Sequence, residues 1–234
     1  MPSCAPHADS RSRAGHNRPS TLTPPAPPAT TTPVPSPGPH PLPPRGLAGV
    51  PLPIVARDGT WYRHHLPQYG PIFFGRTGEC RFDAPAPARA FGVLYLAADP
   101  QCAFIETFGH GHVDRGRLVT LEALGKKRLA EVAFDRPLRL VDLTEAGLAT
   151  IGADLRLCAG DYEVAQAWSG ALHDHPEAPD GLLYRSRHDP GRLCAAVYER
   201  AAGAVTSRSI GTLADAVHAS LLAEILRRYR FGLR

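Results

Sequence analysis

Hydrophobic positions in this chain come in short runs of four to seven, separated by turn residues, with only a few stretches at helical spacing. Phe91 to Ala97 (FGVLYLA) is the clearest strand, an apolar run bounded by loop residues. Pro51 to Val55 predicts a short edge segment that ends at the turn Asp58-Gly59, with Trp61 to His65 following it. Ile72-Phe73-Phe74 is a brief apolar run, and Gly78 to Pro87 reads as a loop. Asp99-Pro100 predicts a helix start, with Asp as cap and Pro in the first turn, and the helix runs to Gly109. Arg117 to Leu121, Leu129 to Phe134 and Leu138 to Leu143 predict strands, and Thr144-Glu145 a cap for a short helix. Asp161 to Leu172 places Val164, Ala165, Trp168 and Leu172 on one helical face. Gly181 to Arg185 and Leu193 to Tyr198 form a strand pair around the turn Asp189-Pro190-Gly191, and Thr212 to Tyr229 an amphipathic helix. The sum is an α+β fold, a single compact domain.

Composition divides the chain in two. Of its 25 prolines, 14 precede residue 46, and Pro19 to Pro44 is almost entirely Pro, Thr, Ala, Ser and Gly. Such a stretch has too little apolar surface to offset the entropy of ordering, so residues 1–46 are expected to be a disordered, Pro-rich tail and residues 47–234 the domain. The tail is either a tether or an over-extended start, and a beginning nearer Val50 is preferred. The net charge of +4 permits an anionic substrate without requiring nucleic acid, and no nucleic-acid-binding motif is present, so direct nucleic-acid binding is not expected. Five scattered cysteines without a CxxC pair argue against a disulfide framework or structural zinc and suit a reducing cytoplasm. No apolar run approaches the ~20 residues of a membrane span, and the N-terminus lacks the apolar stretch of a secretory signal.

Three places carry candidate chemistry. Arg63 and Arg81 could clamp a pyrophosphate through charge-assisted hydrogen bonds, although ordinary surface arginines are the commoner reading. Tyr95 on a strand and Glu106 on an apolar helix put two polar groups near a core, where a carboxylate is either exposed, paired or functional. Tyr184-Arg185-Ser186-Arg187-His188 ends a strand in a polar cluster whose hydroxyl could meet an amide or a phosphate, or simply serve a hairpin loop. His110-Gly111-His112 with Asp114, and His173-Asp174-His175, hold metal-ligand types, but loop histidines in solvent explain them better. No nucleophile elbow, phosphate-binding loop or dinucleotide fingerprint is present.

In order, Cys80-Arg81-Phe82-Asp83, Gly92 to Ala97, Ala103-Phe104-Ile105-Glu106 and Asp180 to Arg187 resemble the RES domain, a family named for its Arg, Glu and Ser. The resemblance spans about Ile54 to Val205. It implies a fold like that of ADP-ribosyltransferases and cleavage of NAD at the nicotinamide–ribose bond, by hydrolysis or phosphorolysis. It also implies an Xre-type helix-turn-helix antitoxin as partner, with NAD as substrate rather than cofactor. Carried over by position, Arg63 and Arg81 would hold NAD, Tyr95 would shape the nicotinamide pocket, Glu106 would stabilise charge on the ribose, and Ser186 would orient base or ribose. His173 or His175 could match a further family histidine, and His64 stands where many members carry an aromatic. The alternatives are transfer of ADP-ribose to a macromolecule, and an inactive module that only binds its antitoxin.

Overall fold

The computed structural model describes residues 38, 40–110 and 117–234. The chain separates into two units, 1–38 and 39–234, and every element described below belongs to the second.

Strands β1 (Ile54–Arg57), β2 (Trp61–His65) and β3 (Val93–Ala97) precede helix α1 (Pro100–Phe108). There follow β4 (Leu118–Val119), α2 (Leu121–Gly125), β5 (Arg128–Phe134) and β6 (Leu138–Asp142). The helices α3 (Ala146–Thr150), α4 (Arg156–Ala159) and α5 (Tyr162–His173) come next, then β7 (Gly181–Arg185) and β8 (Leu193–Tyr198). The chain closes with β9 (Val205–Thr212), α6 (Ala219–Tyr229) and β10 (Gly232–Leu233). One eight-stranded sheet runs β1-β6-β7-β8-β3-β2-β5-β9 and is antiparallel except where β6 meets β7. The α+β expectation is met.

Period-two alternation explains the apolar runs at the centre of this sheet. In β3, Val93 and Ala97 pack into one core with α1 and α5, while Leu94 and Leu96 point into a second on the opposite face with Trp61, Leu140 and Val197. In β8, Cys194, Ala196 and Tyr198 face the first core, and Ala195 and Val197 the second. Strands buried on both faces have no polar side to show, which is why they read as unbroken hydrophobic segments. Helix α1 begins as its sequence predicts: the Asp99 carboxylate accepts from the Cys102 amide at 2.8 Å and Pro100 occupies the first turn.

Several expectations are corrected. Strand pairing in the segment 117–121 is confined to Leu118 and Val119, because the Thr120 hydroxyl accepts from the Ala123 amide at 3.0 Å and starts α2. Thr144 and Glu145 do not cap α3 through their side chains; Thr144 instead binds the Asp142 carboxylate, at 2.6 Å through its hydroxyl. The helix expected from Thr212 starts only at Ala219. Thr212 ends β9, and its amide and hydroxyl both donate to Asp215 at 2.8 Å, which turns the chain. Val217, which precedes that start, is 81% exposed. Strand β9 was missed because an edge strand that buries little of either face carries no alternation to detect. Ile72-Phe73-Phe74 forms no strand, although Gly75 beside it bridges Val93.

The boundary at residue 46 also moves. His40 is buried, its Nε2 accepts from the Asp154 amide, and the Pro41 carbonyl accepts from the Trp168 indole at 2.9 Å. A buried indole N–H needs an acceptor, and a Pro-rich segment has carbonyls to offer. Residues 1–37 and 39 of the expected tail lie outside the described residues. Shortening the chain from a start at Pro39 to one at Leu47 is therefore expected to destabilise the domain by about 1–3 kcal/mol, since it strands the indole N–H. Differential scanning calorimetry should register a midpoint lower by several degrees.

Candidate active site

β2 and β3 are adjacent in the sheet, yet they pair only through Tyr62 and Ala97. β2 stays paired along its whole length with β5 on its other side, so the two strands part on the side facing α1. A cavity of about 530 Å³ opens there. Arg63, Arg81, Tyr95 and Glu106, four of the five residues singled out from the sequence, line it, together with His64 and Arg187.

Glu106 sits in the last turn of α1, and its Oε1 accepts from the Ser186 hydroxyl at 2.5 Å. Ser186 is 1% exposed and does not line the cavity. It directly follows β7, and its oxygen also accepts from the amides of His188 and Asp189 at 3.1 and 3.0 Å. The Ser186 hydroxyl is thus engaged in holding the hairpin loop and the carboxylate. Because Oε1 is held, Oε2 is the oxygen left to face the cavity.

Arg81 is nearly buried; its Nη1 donates to the Gly160 carbonyl at 2.7 Å and its guanidinium lies 4.6 Å from the centre of the Tyr162 ring. Arg63 donates from Nη1 to the Phe73 carbonyl at 3.4 Å, and its Nε finds no partner. Among the described residues neither arginine is ion-paired with a carboxylate. Burial draws the Arg63 guanidinium down to about 10, still protonated at neutral pH. Two guanidinium groups lining one cavity are suited to a phosphate-bearing ligand.

The Tyr95 hydroxyl is occupied from both sides. It donates to Asp83 Oδ1 and accepts from the Phe82 amide, each at 2.9 Å. Burial and then the Asp83 charge raise its pKa well above the usual phenol value, so it stays a neutral hydroxyl. Its contribution to the cavity is therefore its ring, while its oxygen ties the loop that carries Arg81 to β3.

Sequence reasoning passed over three contributors. Asp83 was quoted only as part of a motif, yet it anchors that loop. Arg187 lines the cavity and donates to the rings of His110 and His188 at 3.2 and 3.3 Å. His64, noticed only for standing in an aromatic's place, is buried with both ring nitrogens unpartnered, edge-on to Phe108 at 5.3 Å. Nothing in a one-dimensional pattern marks a histidine whose nitrogens go unmet. The hydrogen bond with Cys102 and then burial raise the Cys194 thiol, and burial pushes the Cys80 and Cys158 thiols up to about 11, so none of these three cavity-lining cysteines supplies a thiolate at neutral pH.

Of the other histidine sets, His110 lines the cavity, whereas His173 and His175 do not. His173 stacks on Phe91 at 3.9 Å and contacts Asp174, while His175 meets the Leu47 carbonyl and the Glu177 amide. Gly111, His112 and Asp114 lie outside the described residues.

A chain with an arginine- and glutamate-lined cleft in a split antiparallel sheet can now be placed. The RES domain family matches residues 60–218, and the chain belongs to that family. It is 34% identical over 87 residues to the probable toxin y4kH of Sinorhizobium fredii (strain NBRC 101917 / NGR234), a stretch covering 37% of this chain and 68% of that protein. Its fold is similar to that of a chain in the crystal structure of the M. tuberculosis MbcT-MbcA toxin–antitoxin complex. The TM-score is 0.55 and the identity 18%, with 76% of this chain and 98% of that chain covered. Among the described residues no helix is long and apolar enough to cross a membrane.

Two outcomes are expected from this geometry. Ser186→Ala removes the donor to Glu106 and the acceptor for two loop amides, so the urea midpoint should fall by an amount equivalent to about 1–3 kcal/mol. His64 has its pKa pulled down to about 3 by burial and by Lys127, whereas an unfolded histidine titrates near ~6.5. Below that pH the unfolded chain binds a proton that the folded chain refuses. Stability should then fall on acidification from about 6.5 toward 3, by up to about 1.4 kcal/mol per pH unit from this group. His64→Phe should flatten that slope in urea melts run across the range, and an unchanged slope would place the effect elsewhere.

Proposed function

We propose that this chain is the toxin of a toxin–antitoxin pair and that it depletes NAD by breaking the nicotinamide–ribose bond. The observation that carries the reading is the held glutamate: Glu106 is fixed by Ser186 in a cavity that also holds two guanidinium groups free of carboxylates. Family membership and the toxin named among its relatives support it.

In this reading Arg63 and Arg81 take the pyrophosphate, and the ring of Tyr95 walls the pocket for the nicotinamide ribose. The bond from the ribose anomeric carbon to the ring nitrogen breaks, and its electron pair leaves with neutral nicotinamide. Positive charge builds on the ribose, where a fixed carboxylate in a partly dry cavity stabilises it more than water would. An oxygen of water or phosphate then bonds to the anomeric carbon and gives up a proton. Ser186 acts as a positioning residue, since a carboxylate already aimed needs no reorganisation as the charge develops. A partner that covers the cleft would silence the enzyme, and a helix-turn-helix antitoxin is the partner proposed.

Brief induction of the chain in cells should lower NAD within minutes, while Glu106→Gln, folded to the same extent, should be slower by about a hundredfold or more. Unchanged NAD with the wild-type chain soluble and folded would overturn the reading. Label from radiolabelled NAD appearing on a macromolecule would point instead to ADP-ribose transfer.

A further inference from the structure

Every buried side-chain nitrogen or oxygen left without a hydrogen-bond partner among the described residues belongs to three successive residues of β2. They are Arg63 Nε, both ring nitrogens of His64, and His65 Nε2. Buried polar groups are nearly always satisfied, so the unmet groups of Arg63 and His64, which both line the cavity where the strand peels away from β3, mark a surface completed by something else. Arg63 is explained by an anionic ligand. His64 calls for a different one.

The His64 ring lines the cavity and packs edge-on against Phe108, at 5.3 Å and 73°. The Lys127 ammonium lies 5.7 Å from the centre of that same Phe108 ring. Burial and this neighbouring charge keep the imidazole neutral. A neutral imidazole offers one N–H donor and one bare nitrogen acceptor and brings no charge for a phosphate. Its nitrogens are buried in the wall, so what meets them has to press against that wall as a flat group does. The complementary chemistry is a planar, uncharged edge carrying both an acceptor and a donor, which a carboxamide supplies.

We infer that His64, backed by Phe108, forms the subsite that reads the carboxamide of the nicotinamide ring and so determines which pyridinium dinucleotides are cleaved. The inference rests on the NAD reading above. It makes His64 a specificity-determining residue, distinct from Glu106, which faces the breaking bond. The amino edge of adenine, at the other end of the same substrate, has similar donor and acceptor character, and the test separates the two.

Purified full-length chain is assayed for kcat/KM on three substrates. These are NAD, the 3-acetylpyridine analogue in which a methyl replaces the amide NH2, and the hypoxanthine analogue in which a carbonyl replaces the adenine amino group. The same set is run on His64→Phe, with His64→Leu standing in should Phe fail to fold. The differing lability of the glycosidic bonds cancels when the preference for NAD over an analogue is compared between wild type and variant. The NAD-to-acetylpyridine preference should drop by about tenfold or more in the variant, since the imidazole acceptor nitrogen that the analogue's methyl leaves unpaired is no longer there to be penalised. The NAD-to-hypoxanthine preference should not move. An acetylpyridine preference equal in wild type and variant overturns the inference, as does a shift confined to the hypoxanthine ratio. A wild-type chain that cleaves none of the three overturns the NAD reading itself, and this inference with it.

Discussion

The Asp83 carboxylate is 2% exposed and accepts from four groups: the Gly78 and Cys80 amides at 2.9 and 3.2 Å, the Thr77 hydroxyl at 3.3 Å and the Tyr95 hydroxyl at 2.9 Å. Buried carboxylates are tolerated only when so surrounded, and the surrounding groups are then committed to one arrangement. Three of the four belong to the turn that carries Arg81, and the fourth belongs to β3. The turn is thus bound to the sheet, and the Phe82 amide closes the circuit onto the same phenol. Gln166 on α5 adds two bonds to the carbonyls of Gly78 and Cys80, and the Ser169 hydroxyl one to the Phe82 carbonyl. One wall of the cavity depends on this buried network.

The opposite wall is built on the same plan. Ser186 sits between a loop that must be closed and a carboxylate that must be aimed, and one hydroxyl does both. Arg81 and Glu106, which line the cleft, are supported from behind by Asp83 and Ser186, which do not and are more deeply buried. Between the walls, the sheet contributes a gap: β2 is held by β5 and released by β3, so the cleft is part of the topology and needs no excavation of the core.

The charge pattern inside the cleft matches this division of labour. Among the described residues Arg63 and Arg81 have no carboxylate ion pair, while Glu106, held by Ser186, stands on α1. A dinucleotide with a charged pyrophosphate and a bond that develops positive charge when it breaks has the same two-part character. Buried, neutral His64 lies in the wall beside them as a group that neither end of that charge pattern explains.

What the sequence determined by itself is what local chemistry decides. Phe91 to Ala97 and Leu193 to Tyr198 read as strands because both faces are buried, and Asp99-Pro100 reads as a helix start because its cap acts within three residues. The ordered motifs around Arg81, Tyr95, Glu106 and Ser186 were also legible, since each keeps its own neighbours in the chain. Polar edge strand β9, the docking of His40 and Pro41, and the late start of α6 were not, because each depends on a partner far away or on one side-chain bond that competes with the helix. Tertiary structure alone decided how the site residues act. A hydroxyl that faces open space and one that faces a carboxylate look the same in sequence; only the fold shows that those of Ser186 and Tyr95 are bonded to Glu106 and Asp83. His64 is the converse case: its nitrogens become notable only when the fold buries them and brings nothing to meet them.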